Sequence, residues 1–324
     1  MKDWKKTQRE LLKKKNVVAV ARGFREVGGK LTKEIVIVCS VEKKEPLSAL
    51  AAKDLIPANI EDEKTDVFVS GRIYALKART DRWRPAPGGV SIGHQQVSAG
   101  TLGCLVKRDG QVYILSNNHV LADSNNASIG SNILQPGKYD GGTLIDKIAL
   151  LEDFVPIEFV GGPSGCKIGN AIAEMFNAPA AVAKRQTRLQ AVNSKQVENL
   201  VDAAIARPID VKNVLEEILE IGVPSGLEIG ALGDKIQKSG RTTGLTEGEI
   251  TQVDAMVTVQ YGEGKTALFV DQIMAGEMCS GGDSGSAVLN MDKELVGLLF
   301  AGSDKTTVIN PIFDVFELLG ITLY

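Results

Sequence analysis

Three residue types, set far apart in the chain, can together attack an acyl group. The stretch "EMCSGGDSGSAVLN", residues 277–290, places Ser284 between an aspartate and glycines, with a short apolar run behind it. With average residue usage, a Gly-Asp-Ser-Gly tetrad turns up in a chain of this length about one time in a hundred. A serine hydroxyl is a weak nucleophile on its own. It needs a general base in reach and a third group to orient that base. The chain has two histidines, His94 and His119. His94 lies in "SIGHQQ". His119 lies in "YILSNNHVLA", where an apolar strand-like run ends in a polar turn. A lone histidine is more often a surface or satisfied core residue than a catalytic one. His119 is favoured because an apolar run leads to it and the Gly-Asp-Ser-Gly follows far downstream. For the orienting carboxylate, "NLVDAAIARP" offers Asp202 in an almost uncharged run, a costly place for a charge without a partner. "LIDKIALLEDF" offers Asp146 in similar company and stays as the alternative.

The elements that must hold these residues fall into two textures. Residues 4–15 read as a basic amphipathic helix whose lysines suit its C-terminus. "NVVAVARGF" and "EIVIVCSVEKK" read as strands joined through a Gly-Gly turn, "PLSALAAKDLI" as a short helix, and "TDVFVSGRIYAL" as a further strand. "RTDRWRPAPGG", residues 79–89, carries two prolines and two glycines and reads as a linker. These signals predict a small α+β domain over residues 1–84, acting as a regulator, a cap or a partner-binding unit. A strand-rich domain follows over residues 85–324. There, short runs such as "GTLGCLV", "DKIQKSG", "EGEITQVDAMVTVQY", "ALFVDQIMA" and "ELVGLLFAGS" recur between turns, which predicts an all-β barrel or sandwich. "SGCKIGNAIAEMFN" interrupts them with helical spacing of Ile168, Ile172, Met175 and Phe176. "NPIFDVFELLG" predicts a closing helix with Asn310 as N-cap, Pro311 at its first position and Gly320 as stop.

Composition excludes little but points consistently one way. Hydrophobic residues make up 44% and charged residues 24%, the balance of a globular protein. A net charge of −3 gives no global attraction to nucleic acid or an anionic membrane, and no apolar run reaches the length of a membrane span. "NVVAV" is too short for a secretory h-region. Cys39, Cys104, Cys166 and Cys279 lack paired spacing, so free thiols in a cytoplasmic protein are expected, with neither a metal site nor a cofactor. The expected partner is a protein or peptide substrate, and a homo-oligomer is compatible with this reading.

"LSNNHVLA", "VDAAIA" and "GDSGSAV" resemble, in that order, the His, Asp and Ser boxes of chymotrypsin-fold serine proteases. The longer stretch "ILSNNHVLADSNNASIGSNILQPG" is similar to bacterial trypsin-like proteins related to the plant narrow-leaf protein. The resemblance covers about residues 97–320. It implies a mainly β, chymotrypsin-like double barrel of two six-stranded barrels, to which the residue patterns add an α-helical insert, a C-terminal helix and the small α+β domain in front. It implies His119 as general base, Asp202 as its orienter and Ser284 as nucleophile. The backbone N–H groups of Gly282 and Ser284 would form the oxyanion hole. "QKSGRTTGLTEGEI" resembles a segment of alpha-lytic protease, which implies a buried ion pair between Arg241 and Asp283 and an activity that needs no zymogen cleavage. Met278, Ala301 and Gly302 would line the pocket for the side chain before the scissile bond, favouring a small or medium apolar residue. Two positions depart from the pattern. Phe300 stands where a small polar residue usually bonds the triad aspartate, and Ser286 replaces a glycine. Phe300, the lack of a secretory signal and the extra domain keep a second reading open, a scaffold protein that retains the protease fold without proteolysis. An α/β-hydrolase of the Gly-x-Ser-x-Gly type fits poorly, because alternating helices are missing and the histidine precedes the serine.

Overall fold

The structure is a computed structural model that describes residues 4–73, 77–160, 167–182, 197–262 and 264–324. The chain separates into two compact units, Met1–Lys77 and Ala78–Tyr324.

In the first unit, helix Trp4–Leu12 covers one face of a four-stranded sheet. Strands Val17–Val27 and Lys30–Val41 pair antiparallel across Gly28 and Gly29. Both glycines have positive φ, which a side-chain-bearing residue would adopt only under strain. Glu63–Val69 adds in parallel to Lys30–Val41. Leu11, Val17, Val20, Ile37, Cys39 and Val41 form the core. Burial pushes the Cys39 thiol up to about 11, so it behaves as a small apolar side chain. The helix expected over "PLSALAAKDLI" is instead two single 3-10 turns, Leu47–Ala49 and Ala52–Asp54. Extended backbone at Ala51 separates them, so neither reaches the length at which helix propagation outweighs nucleation. Tyr74 to Leu76, the end of the predicted strand "TDVFVSGRIYAL", lie outside the described residues.

The second unit is mainly β, a chymotrypsin-like fold built on two sheets. The first is an eight-strand path in the order Thr322–Leu323, Cys104–Arg108, Gln111–Ser116, Ala204–Pro208, Lys147–Phe154, Asn132–Leu134, Ser91–His94, Gly100–Thr101. The second contains a closed ring. Thr266–Ala275, Gly244–Gln260, Lys235–Gly240, Ala287–Asn290, Glu294–Gly302 and Thr307–Pro311 pair in sequence, and the last returns to the first. This is a six-stranded barrel, whereas the ladder of the first sheet stays open. Alternating side chains fill each interior. Ile92, Leu105, Ile114, Ile133, Ile148 and Leu151 meet inside the first, and Ile236, Ile250, Val288, Val296 and Ile309 inside the second.

The closing helix Ile312–Leu319 buries Ile312, Val315, Phe316 and Leu319 and stops at Gly320 in the left-handed conformation. Its N-cap position is Pro311, not Asn310, one residue later than predicted. Asn310 is fully buried and its amide is used elsewhere. The inserted helix spans Lys167–Val182 and leaves Ile168, Ile172, Met175 and Phe176 exposed. Cys166 lies outside the described residues, while Cys39, Cys104 and Cys279 are free thiols. The stretch 79–89, read as a linker, is bound into the second unit. Arg79 donates to Ser239 Oγ at 2.7 Å, Arg82 to Asp146 Oδ1 at 3.0 Å and Arg84 to Gln135 Oε1 at 2.6 Å.

Candidate active site

Strand Gln111–Ser116 runs through the first core and is followed at once by a one-turn helix, Asn118–Leu121. His119 is on this helix, where a polar turn was expected, because buried Val120 and Leu121 drive the turn into the core. The imidazole stays one-fifth exposed. Its Nδ1 is 2.6 Å from Asp202 Oδ2, and its backbone N–H donates to Asp202 Oδ1 at 3.2 Å.

Asp202 precedes strand Ala204–Pro208 and is fully buried. Every polar atom of the residue is occupied. Asn117 Nδ2 donates to its carbonyl at 2.7 Å, and its own N–H donates to Asn310 Oδ1 at 3.0 Å. Asn310 Nδ2 donates in turn to Gln272 Oε1 at 2.6 Å. The Tyr261 hydroxyl donates to Asp202 Oδ2 at 2.8 Å. A carboxylate held so firmly fixes the imidazole with its proton on Nδ1 and leaves Nε2 as the basic nitrogen.

Ser284 sits in a tight loop between the ends of two barrel strands. Thr101 clamps this loop, its N–H donating to Ser284 O at 2.8 Å and its hydroxyl to Gly282 O at 2.9 Å. Gly282 has φ +99°, and a Cβ there would fall 2.5 Å from Thr242 Oγ1. Gly285 has φ +94°, and a Cβ there would fall 2.1 Å from Ser116 Oγ. Both glycines are therefore obligatory. The N–H groups of Gly282 and Ser284 donate to no group among the described residues. Ser286 turns its departure from the family pattern into a staple, its hydroxyl donating to Asp283 O at 2.6 Å. Ser284 Oγ itself donates to Phe300 O at 3.3 Å, and among the described residues no hydrogen bond joins it to His119. Both side chains line one open cavity of about 870 Å³.

The expected Arg241–Asp283 pair does not form. Arg241 turns to Asp140, with Nε 2.7 Å from Oδ2 and Nη2 bonded to Oδ1, and it stacks over Tyr139 at 5.3 Å. The cation beside Asp283 is Lys238, fully buried, with Nζ 3.5 Å from Oδ2. Lys238 also donates to Gly244 O at 3.0 Å and to Thr243 Oγ1. Asp283 accepts from Thr242 N, Thr243 N, Thr243 Oγ1 and Ser280 N at 2.7–3.1 Å, which leaves no free edge for a guanidinium fork. Burial pushes the Lys238 ammonium down, and Asp283 pulls it partly back.

The other sequence candidates sort themselves by distance. Asp146 accepts from Thr143 and from Arg82 and has no bond to His119. Burial alone would raise its carboxyl, but the Thr143 and Arg82 donors outweigh this and hold it low. His94 is buried in the first sheet, where Nδ1 accepts from Gln96 N at 3.3 Å, and burial lowers its basicity. Ala301 and Gly302 line the cavity, but Met278 does not. Met278 is packed inside the second barrel with Ile236 and Ile250, and its neighbour Cys279 forms the cavity wall. Burial raises the Cys279 thiol, so it meets the cavity as a neutral group.

Sequence reasoning missed Lys238, Asp140, Tyr261 and the amides of Asn117 and Asn310. Lys238 had no local signal, since "KIQKSG" carries no apolar residue after Ile236 to mark the strand as buried. Tyr261 had none, because it meets Asp202 from 59 residues away in the sequence.

The model of the trypsin-like peptidase domain matches residues 100–298. The chain belongs to this family. Among solved structures it is similar to a glutamic acid specific serine protease that utilizes a novel histidine triad in substrate binding. That match has 21% identity and a TM-score of 0.47, and covers 74% of this chain and 100% of the other. It is also similar to Thermobifida fusca Protease A, at 16% identity with a TM-score of 0.46, covering 74% and 98% of the two chains. The alpha-lytic protease homolog N4 follows at 17% identity with a TM-score of 0.45, covering 74% and 99%. No curated protein matches the chain.

Proposed function

We propose that this trypsin-like peptidase is a serine endopeptidase in which Ser284 attacks the scissile carbonyl, His119 takes and returns the proton, and Asp202 orients the imidazole. The observation that carries the reading is the 2.6 Å contact between His119 Nδ1 and buried Asp202, with Ser284 in the same cavity. Rotation of Ser284 about its Cα–Cβ bond releases Oγ from Phe300 O and turns it toward His119 Nε2. The carbonyl carbon then gains the Oγ bond, its oxygen becomes negative, and the free N–H groups of Gly282 and Ser284 stabilise that charge. Transfer of the proton from Nε2 to the leaving amine gives an acyl-enzyme, which water hydrolyses by the reverse sequence.

The wall built from Cys279, Leu299, Ala301, Gly302 and Val308 favours a small or medium apolar side chain before the scissile bond. The bond from Ser284 Oγ to Phe300 O supports a second reading, a non-hydrolytic scaffold in which the hydroxyl stays withdrawn. Cleavage of a fluorogenic peptide library by purified protein, beside its Ser284→Ala variant, separates the two. The endopeptidase reading requires turnover that disappears in the variant. Equal signals from both proteins would leave the scaffold.

A further inference from the structure

We propose that Tyr261 is a positioning residue for the reaction, its hydroxyl locking the Asp202 carboxylate in the orientation that aligns His119. This rests on the proposed hydrolytic role of His119 and Ser284 and adds a fourth side chain to it.

A buried carboxylate presents about four lone-pair sites and is costly wherever one faces no donor. His119 covers one site on each oxygen of Asp202, through its backbone N–H and its ring Nδ1. Both contacts come from one residue on one short helix, so the carboxylate remains free to tilt about the line that joins them. The Tyr261 hydroxyl reaches Oδ2 at 2.8 Å and removes that freedom. It approaches from the hairpin of the second barrel, whereas His119 and Asp202 flank strands of the first sheet.

The tyrosine itself is rigidly held. It stands at the tip of the hairpin between Gly244–Gln260 and Thr266–Ala275, where its N–H donates to Lys265 O at 2.8 Å. The ring packs edge-on to Phe159 at 5.4 Å and lies 6.2 Å from Phe269, which in turn packs on Phe300 at 4.7 Å. The same ring meets the His119 imidazole edge-on at 5.7 Å. One side chain thus touches both the carboxylate and the base it orients. Phe300 offers no side-chain donor to the carboxylate and serves as the floor of the aromatic stack that delivers the Tyr261 hydroxyl. Burial first, and the Asp202 carboxylate second, push that hydroxyl well above the ordinary tyrosine range, so it remains a donor.

Tyr261→Phe removes one oxygen and keeps the ring. A hydrogen bond to a charged group supports a kcat loss of about 10- to 100-fold, with KM changed by less than about twofold, because the group acts on the base and not on the substrate. Proton NMR of the free enzyme supplies a readout that general loosening would not move. The His119 Nδ1–H resonance should shift in Tyr261→Phe and hold its position in Phe159→Leu, which only thins the packing behind the ring. If no variant and no wild-type sample cleaves peptide, the hydrolytic reading falls, but the resonance still reports whether Tyr261 governs the His119–Asp202 bond. A Tyr261→Phe protein with wild-type kcat, or with an unmoved Nδ1–H signal, would overturn the proposal.

Discussion

Two buried aspartates flank the site, and they are solvated in opposite ways. Among the described residues, no lysine or arginine pairs with Asp202. Its charge is spread over the His119 ring, the Tyr261 hydroxyl and a backbone amide. Asp283 has a buried ammonium, Lys238, and four further donors. The first arrangement leaves the carboxylate answering to a ring whose charge would change in the proposed reaction. The second fixes a loop whatever the reaction does. One carboxylate is therefore built to respond and the other to hold. Substitutions that break each should differ in kind: loss of rate without loss of fold at Asp202, and loss of both at Asp283.

The largest effect is expected at the groups that Asp202 serves. Ser284→Ala and His119→Ala should each lower kcat by roughly 10⁴- to 10⁶-fold while the melting temperature stays near that of wild type, since the two act as one unit. Circular dichroism and peptide turnover measured on the same samples check this. Next, Asp202→Asn should lower kcat by about 10⁴-fold by presenting the wrong imidazole tautomer. Asp146→Asn, which only frees Arg82 and Thr143, should leave kcat within about twofold of wild type. A silent Asp202→Asn would remove the responsive half of the comparison.

The holding half is tested at Lys238. Lys238→Met keeps the volume but leaves Asp283 buried without its cation, at a cost of about 3–5 kcal/mol in urea unfolding. Activity should be lost at lower urea than the global fold, because Asp283 ties down the loop that carries Gly282 and Ser284. Arg241→Gln gives the contrast. It cuts the Asp140 bonds, the bond to Thr242 Oγ1 and the stacking on Tyr139, at about 1.5–3 kcal/mol, and leaves the Lys238–Asp283 pair in place. The reverse ranking would return Arg241 to the role first assigned to it.

The smallest effect is an acid one. Burial raises the Asp140 carboxyl, but its bonds from Arg241 and Ser91 outweigh this and hold it below its ordinary value of 3.8. A carboxylate depressed in the folded state contributes its stability in full above the unfolded value. That contribution fades as pH falls through the folded one. Wild type should therefore lose stability below about pH 4 more steeply than Asp140→Asn, measured by urea midpoints across that range.

That His119 meets Asp202, and that His119 and Ser284 share a cavity, was anticipated because each residue sits in a local pattern that chemistry imposes. The glycines around Ser284 are required by positive φ and by close contacts, and a charge within "LVDAAIA" demands a partner. The β-rich texture was legible because strand periodicity and turn residues are local as well. What escaped was set by tertiary contact. Lys238 was read only as part of the strand-like run "DKIQKSG", and the fold buries that strand from Ile236 to Gly240. Arg241 was given the wrong aspartate because Asp140 approaches from a turn of the other sheet. Asn310 carried every local mark of a helix cap, and the fold spends it on Asp202 and Gln272. Met278 was placed in the pocket by resemblance, and the fold packs it inside the second barrel instead.

The most direct test is labelling of the intact chain with a fluorophosphonate, followed by peptide mass spectrometry. Such a probe phosphonylates a serine only when a base and an oxyanion hole activate it. The account predicts a single adduct on Ser284 in protein that is uncleaved between Ala78 and Val90, and none in His119→Ala. A folded wild-type protein that takes no label at Ser284, or one that takes it only after cleavage in that stretch, would contradict it.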